Sequence, residues 1–181
     1  MTKSELPDIN VMIDLETFDL VPGGIILSIG ACTFATGQER KIFHNLISVA
    51  DSRARHYTED RGTMAWWHKQ PLQTMQEATA GTDSVPIALV AFSDWLHTLS
   101  RDENQVKIWG NASTFDNVIL AAAYRKEGIK QPWGKWSDRC YRTLKNLLPH
   151  AILDKRTSTK HNALEDAKWQ ADHAELLLRM L

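Results

Sequence analysis

The chain has 181 residues, 43% hydrophobic and 24% charged, which suits one globular domain over 1–181 with a sizeable core. A formal net charge of −1 excludes coating of duplex nucleic acid by bulk electrostatics, so any nucleic-acid contact has to be local. No stretch suits a membrane span, the N-terminus lacks the apolar core of a signal peptide, and Cys32 and Cys140 form no Cys-x-x-Cys motif, so a reduced, cytoplasmic protein with no membrane partner is expected.

The apolar run over 10–16 reads as a first strand, and Pro22-Gly23-Gly24 as a turn. Runs over 25–34 and 41–48 follow, which predicts three strands in an antiparallel meander. Leu89, Phe92, Leu96 and Leu99 fall at helical spacing and predict a helix over 84–99 with Pro86 in its first turn. Val106 to Trp109 is a short strand ended by Gly110-Asn111. Ser113 is a candidate N-cap for a helix over 114–127 that stops at Gly128. A further short strand is expected near the end of 131–141, then a helix up to Pro149 and a polar loop over 151–160. The last helix starts at Asn162, with Leu164, Ala167, Ala171, Ala174, Leu177 and Leu178 toward the core. Strands first, then alternating helix and strand, predict an α/β fold with a mixed five-stranded sheet flanked by helices.

Asp14 and Glu16 stand two apart on the first strand and so leave the same face. Like charges that close repel, and burial raises the cost; a divalent metal is the obvious neutraliser. Asp116 lies in the first turn of its helix, where a carboxylate also has a plain reason to be, the helix dipole. Asn162 and Glu165 have capping-box spacing, which places His161 just outside the last helix and Asp166 about one turn inside it. Each of these alone is compatible with a purely structural role; together they form one constellation.

Met12-Ile13-Asp14-Leu15-Glu16-Thr17-Phe18, then the segment from Trp109-Gly110-Asn111 to Phe115-Asp116-Asn117, then His161-Asn162-Ala163-Leu164-Glu165-Asp166 resemble the three motifs of the DEDDh branch of DnaQ-like 3′–5′ exonucleases. The resemblance implies a ribonuclease H-like fold. Leu27-Ser28-Ile29-Gly30-Ala31, Met64-Ala65-Trp66-Trp67 and Arg139-Cys140-Tyr141-Arg142 further resemble the exodeoxyribonuclease VIII-like group and its exoribonuclease branch. Asp19 departs from the small residue the first motif usually carries, and adds a carboxylate expected near the metals.

The resemblance implies two Mg²⁺ ions, replaceable by Mn²⁺, held by Asp14, Glu16, Asp116 and Asp166. Two metals about 3.5–4 Å apart can activate the nucleophile, neutralise charge and stabilise the leaving group. His161 is the implied general base, and an unperturbed imidazole pKa of about 6.5 suits that task. Thr17, Phe18 and Asn111 are expected at the substrate. Of the adjacent Trp66 and Trp67, one is expected in the core and the other in the cleft. Trp95, Trp109 and Trp169 are expected in the core. Lys155, Arg156 and Lys160 are either phosphate contacts or a solvated loop, and Arg139 and Arg142 are expected to support the fold or an oligomer contact.

The implied reaction is hydrolysis from nucleic-acid 3′ ends to nucleoside 5′-monophosphates, with single-stranded DNA favoured and RNA as the alternative. A non-catalytic nucleic-acid-binding partner on the same fold, and an endonuclease of the wider ribonuclease H type, are the competing readings. Relatives often dimerise, which leaves a homodimer open.

Overall fold

In the computed structural model, β1 (Ile9–Thr17) is the central strand of the sheet. Residues 7–35, 37–112, 114–153 and 161–181 are described. β1 pairs antiparallel with β2 (Ile26–Thr33), which pairs antiparallel with β3 (Ile42–Leu46). On its other edge β1 pairs parallel with β4 (Val106–Gly110), and β4 pairs parallel with β5 (Asp138–Cys140). The order is β3-β2-β1-β4-β5, the mixed five-stranded sheet that the sequence pattern predicts.

Seven helices accompany it among the described residues: α1 (Val49–Ala54), α2 (Arg61–Trp67), α3 (Leu72–Ala78), α4 (Val85–Leu99), α5 (Asp116–Lys126), α6 (Tyr141–Leu147) and α7 (Ala163–Arg179). The first three have no counterpart in the elements predicted above. Each is six or seven residues long, too short to display a helical hydrophobic period. Ser48 caps α1 by accepting from the Asp51 N–H, and Asp60 caps α2 by accepting from the Thr63 N–H. No helix among the described residues is long and apolar enough to cross a membrane.

The alternation of β1 sorts its residues between two cores. Val11, Ile13 and Leu15 join the larger cluster with Leu89, Phe92 and Ile119. Met12 joins a second cluster with Trp109, Tyr141 and the alanines of α7, namely Ala167, Ala171 and Ala174. Asp14 and Glu16 share the parity of Met12 and leave the sheet on the α7 side. Trp109 is buried, whereas Trp95 and Trp169 are only partly so. The inward stripe of α7 differs from the expected one: Ala163, Gln170 and His173 are buried, while Leu164 is partly exposed and Leu178 is exposed.

The start of α7 lies directly on β2. A Cβ on Gly30 would stand 2.1 Å from the Ala163 carbonyl carbon and 2.2 Å from the Leu164 nitrogen. Gly30 is the β2 partner of Asp14, so this bare backbone is what lets α7 descend beside the carboxylate. Both clashing atoms are backbone and have no rotamer to yield. Gly30→Ala is expected to lower stability by about 1–3 kcal/mol. In a thermal melt that corresponds to roughly 2–4 °C per kcal/mol for a chain of this size.

Candidate active site

β1 delivers Asp14 and Glu16, and a register irregularity follows directly after Glu16, where the strand ends. α7 brings Asp166 to them. One carboxylate oxygen from each of Asp14, Glu16 and Asp166 lies within 4.8 Å of the others. Asn162 caps α7, its side chain accepting from the Glu165 N–H at 3.2 Å. The reciprocal bond of the capping box comes from Asp166 rather than Glu165: Asp166 Oδ2 accepts the Asn162 N–H at 3.2 Å. Glu165 instead accepts from Lys168 at 2.8 Å. Asp166 is thus fixed by the helix start that it helps to close.

Asp116 opens α5 and is almost fully buried. Its carboxylate accepts the Leu15 N–H at 3.1 Å and the Asn111 N–H at 2.9 Å. Leu15 lies beyond the last β1–β4 pair, Met12–Trp109, so Asp116 takes an amide that the ladder no longer serves. Gly110 leaves the space for it; a Cβ there would stand 3.0 Å from Asp116 Cβ. The cap position of α5 falls on Phe115, and Ser113, the expected cap, lies outside the described residues.

The electrostatics follow from this crowding. Burial, followed by the charges of Asp116, Glu16 and Asp166, pushes the Asp14 carboxyl well above the usual carboxylate range, while Gln170 pulls it down. Burial pushes Asp116 up to about 6, against the amides of Asn111 and Leu15 and the guanidinium of Arg142. The four carboxylates therefore converge at one end of the sheet, and without a cation the site disfavours ionisation of Asp14 and Asp116. All donors are oxygens, which is the set a hard divalent cation takes, so the residues fit Mg²⁺ or Mn²⁺.

A cleft of about 590 Å³ opens over this cluster, lined by Glu16, Thr17, Trp66, Asn111, His161 and Gln170 among others. His161 has a left-handed backbone, φ 62°, a conformation that costs a non-glycine residue about 1–2 kcal/mol. Its ring meets the edge of Trp66 at 4.7 Å between centroids and Trp67 at 6.5 Å, so it is wedged against an aromatic wall. Trp67 is buried and donates from Nε1 to the Thr17 carbonyl at 2.9 Å, tying α2 to the end of β1. Trp66 is 40% exposed and presents its surface to the cleft.

Three residues lie where the sequence did not suggest. Phe18, expected at the substrate, is buried edge-on against Trp67 and does not line the cleft; Leu20, 60% exposed, does. Asp19 is outside the carboxylate cluster: one oxygen accepts from Thr58 Oγ1 at 2.6 Å and the other from the Leu20 N–H at 2.7 Å, so it braces the loop after β1. Arg139 donates to the carbonyls of Trp136 and Asp138, whereas Arg142 faces a recess of about 240 Å³ shared with Asp14 and Asp116. Lys155, Arg156 and Lys160 lie outside the described residues.

Gln170 and Arg142 are the site neighbours that sequence reasoning missed. For Gln170 the available signal was its spacing, four residues after Asp166 and set within a stripe of alanines. Arg142 sat in the motif quoted for the family but carried no geometric cue.

Metal-free stability should report the strain in the cluster. A carboxyl with a raised folded-state pKa stabilises the fold while protonated and loses that contribution as pH rises through its folded pKa. Asp14→Asn keeps an acceptor for Gln170 and removes the charge. Its melting-temperature advantage over wild type in EDTA should be largest near pH 8 and shrink toward pH 4. A pH-independent difference would contradict the assigned burial.

Comparison with known proteins agrees with this geometry. The family model described as the 3′-5′ exoribonuclease Rv2179c-like domain matches residues 9–178. Among solved structures, the nuclease domain of 3′hExo, a DEDDh family member bound to rAMP, superposes with TM-score 0.65 at 12% identity, covering 98% of this chain and 95% of that one. Cell-death related nuclease 4 (CRN-4) gives TM-score 0.63 at 14% identity over 96% of this chain and 64% of that chain. Exonuclease I of E. coli in complex with a dA16 oligonucleotide gives 0.60 at 18% identity over 95% of this chain, which spans 41% of that protein. No curated protein matches the chain in sequence. DEDDh exonucleases depend on divalent metals, in keeping with the carboxylate cluster. The chain belongs to the Rv2179c-like 3′–5′ exonuclease family, on the ribonuclease H-like fold of the DEDDh enzymes.

Proposed function

We propose that this chain hydrolyses phosphodiester bonds from the 3′ end of single-stranded nucleic acid, releasing nucleoside 5′-monophosphates, with Mg²⁺ or Mn²⁺ as cofactor. The observation that carries the reading is the placement of three clustered carboxylates and His161 on one cleft wall, with Asp116 behind them. Asp14, Glu16 and Asp166 would hold one ion, and Asp14 with Asp116 a second. Bound there, divalent ions neutralise the cluster and lower the pKa of an attacking water.

The chain's own residues do the rest. His161 takes the proton of that water as general base, held by its left-handed backbone and the edges of Trp66 and Trp67. The exposed face of Trp66 stacks on a base, which is worth about 1–3 kcal/mol without sequence preference. Thr17 and Asn111 line the same cleft, which supports their contact with the terminal nucleotide. Arg142 adds positive charge on the Asp116 side, where a phosphate of the strand would pass. No basic surface is needed for this, which suits the net charge of −1.

The family's described activity is that of an exoribonuclease, and this supports RNA ahead of the single-stranded DNA favoured on sequence. DNA remains the second reading. A cytoplasmic enzyme acting as one domain over 1–181 is part of the same proposal.

Matched RNA and DNA oligonucleotides labelled at the 5′ end provide the test. The expected product is a ladder of one-nucleotide steps, faster on RNA, abolished by EDTA and by Asp14→Ala. A folded His161→Ala protein should lose about 10²–10⁴-fold in kcat, the range for a general base. Internal cleavage, or wild-type turnover by His161→Ala, would contradict the assignment.

A further inference from the structure

Gln170 lies one helical turn beyond Asp166 on the same face of α7 and is 4% exposed. Its Nε2 donates to Asp14 Oδ1 at 2.7 Å. Its Oε1 is buried without a hydrogen-bond partner among the described residues. Beside a bound cation Asp14 is ionised and only accepts, and the amide nitrogen is the atom that meets it.

An amide in this place is a poor core residue. Ala167, Ala171 and Ala174 around it on α7 are fully buried and apolar. A half-satisfied buried amide carries a desolvation cost that a methionine of similar length avoids. The compensating contact is with Asp14, the carboxylate placed among Glu16, Asp116 and Asp166. A lysine there would cancel the charge that attracts a cation, and a glutamate would add to the repulsion. An uncharged donor does neither. It pins one oxygen of Asp14 against the push of three like charges.

We infer that Gln170 is a positioning residue that presets the Asp14 carboxylate for divalent-metal binding. The inference rests on the metal-dependent reading of the site given above, and concerns how Asp14 is held rather than which residues are ligands. Partners of this kind behind a metal ligand typically govern about 10–100-fold in affinity.

Mn²⁺ titration by calorimetry without nucleic acid, paired with thermal melts in EDTA, tests it. Gln170→Met should melt at or above the wild-type temperature and bind Mn²⁺ about 10–100-fold more weakly. Its turnover should recover as Mn²⁺ is raised. Gln170→Ala should weaken binding similarly, with a lower melting temperature from the lost volume. Unchanged Mn²⁺ affinity in a folded variant overturns the inference. So does loss of the fold in both variants, which would assign the amide to the core alone. Asp14→Ala separates the two levels: if it binds Mn²⁺ like wild type, the metal site itself is wrong, whereas normal loss there with unchanged Gln170 variants rejects only the positioning role.

Discussion

Four carboxylates share one end of a sheet in surroundings too dry to keep them all ionised, and the rest of the molecule is arranged around that conflict. Burial raises the pKa of both Asp14 and Asp116, and for Asp14 the neighbouring acids push in the same direction. The fold relieves part of the strain with neutral donors. Two backbone amides hold Asp116, the Asn162 amide holds Asp166, and Gln170 holds Asp14. The remainder is left for a cation, which is why the cluster reads as a binding site rather than as a polar defect in the core.

Two missing side chains make the convergence possible. Gly30 lets the start of α7 touch β2 beside Asp14, and Gly110 lets the start of α5 fold back against β4. The start of α7 brings Asp166 together with the Asn162 amide that stabilises it, while Asp116 at the start of α5 reaches amides of β1 and of the turn after β4. The acids are consequently rigid. His161 is held differently, outside the helix, in a left-handed conformation and packed against tryptophan edges. In the proposed roles, the base is thus carried by the loop end and the aromatic wall, while the metal ligands stand on strand and helix.

Much of this was legible because it depends on spacing. The period of two placed Asp14 with Glu16 on one face of β1, and the cap at Asn162 placed Asp166 one turn into α7. The long strands and α4 announced themselves by period and by caps. What was not legible depends on contacts between distant segments. Phe18 follows an exposed-looking motif, but Trp67, far along the chain, packs against it and removes it from the cleft. Asp19 looked like an extra metal-side acid until Thr58 supplied its partner. Asn162 and Glu165 have the spacing of a capping box, yet Lys168 draws Glu165 away and Asp166 closes the box instead. Gln170 could be located on the helix by its number, but only the tertiary approach of α7 to β1 gives it Asp14.

The most direct test is anomalous scattering from crystals grown with Mn²⁺. The carboxylate arrangement predicts peaks bounded by Asp14, Glu16 and Asp166 and, on the other side of Asp14, by Asp116. Occupancy should vanish in crystals of Asp14→Ala. A Mn²⁺-saturated crystal with no peak at this cluster, from a protein that still degrades oligonucleotides stepwise from the 3′ end, would contradict it.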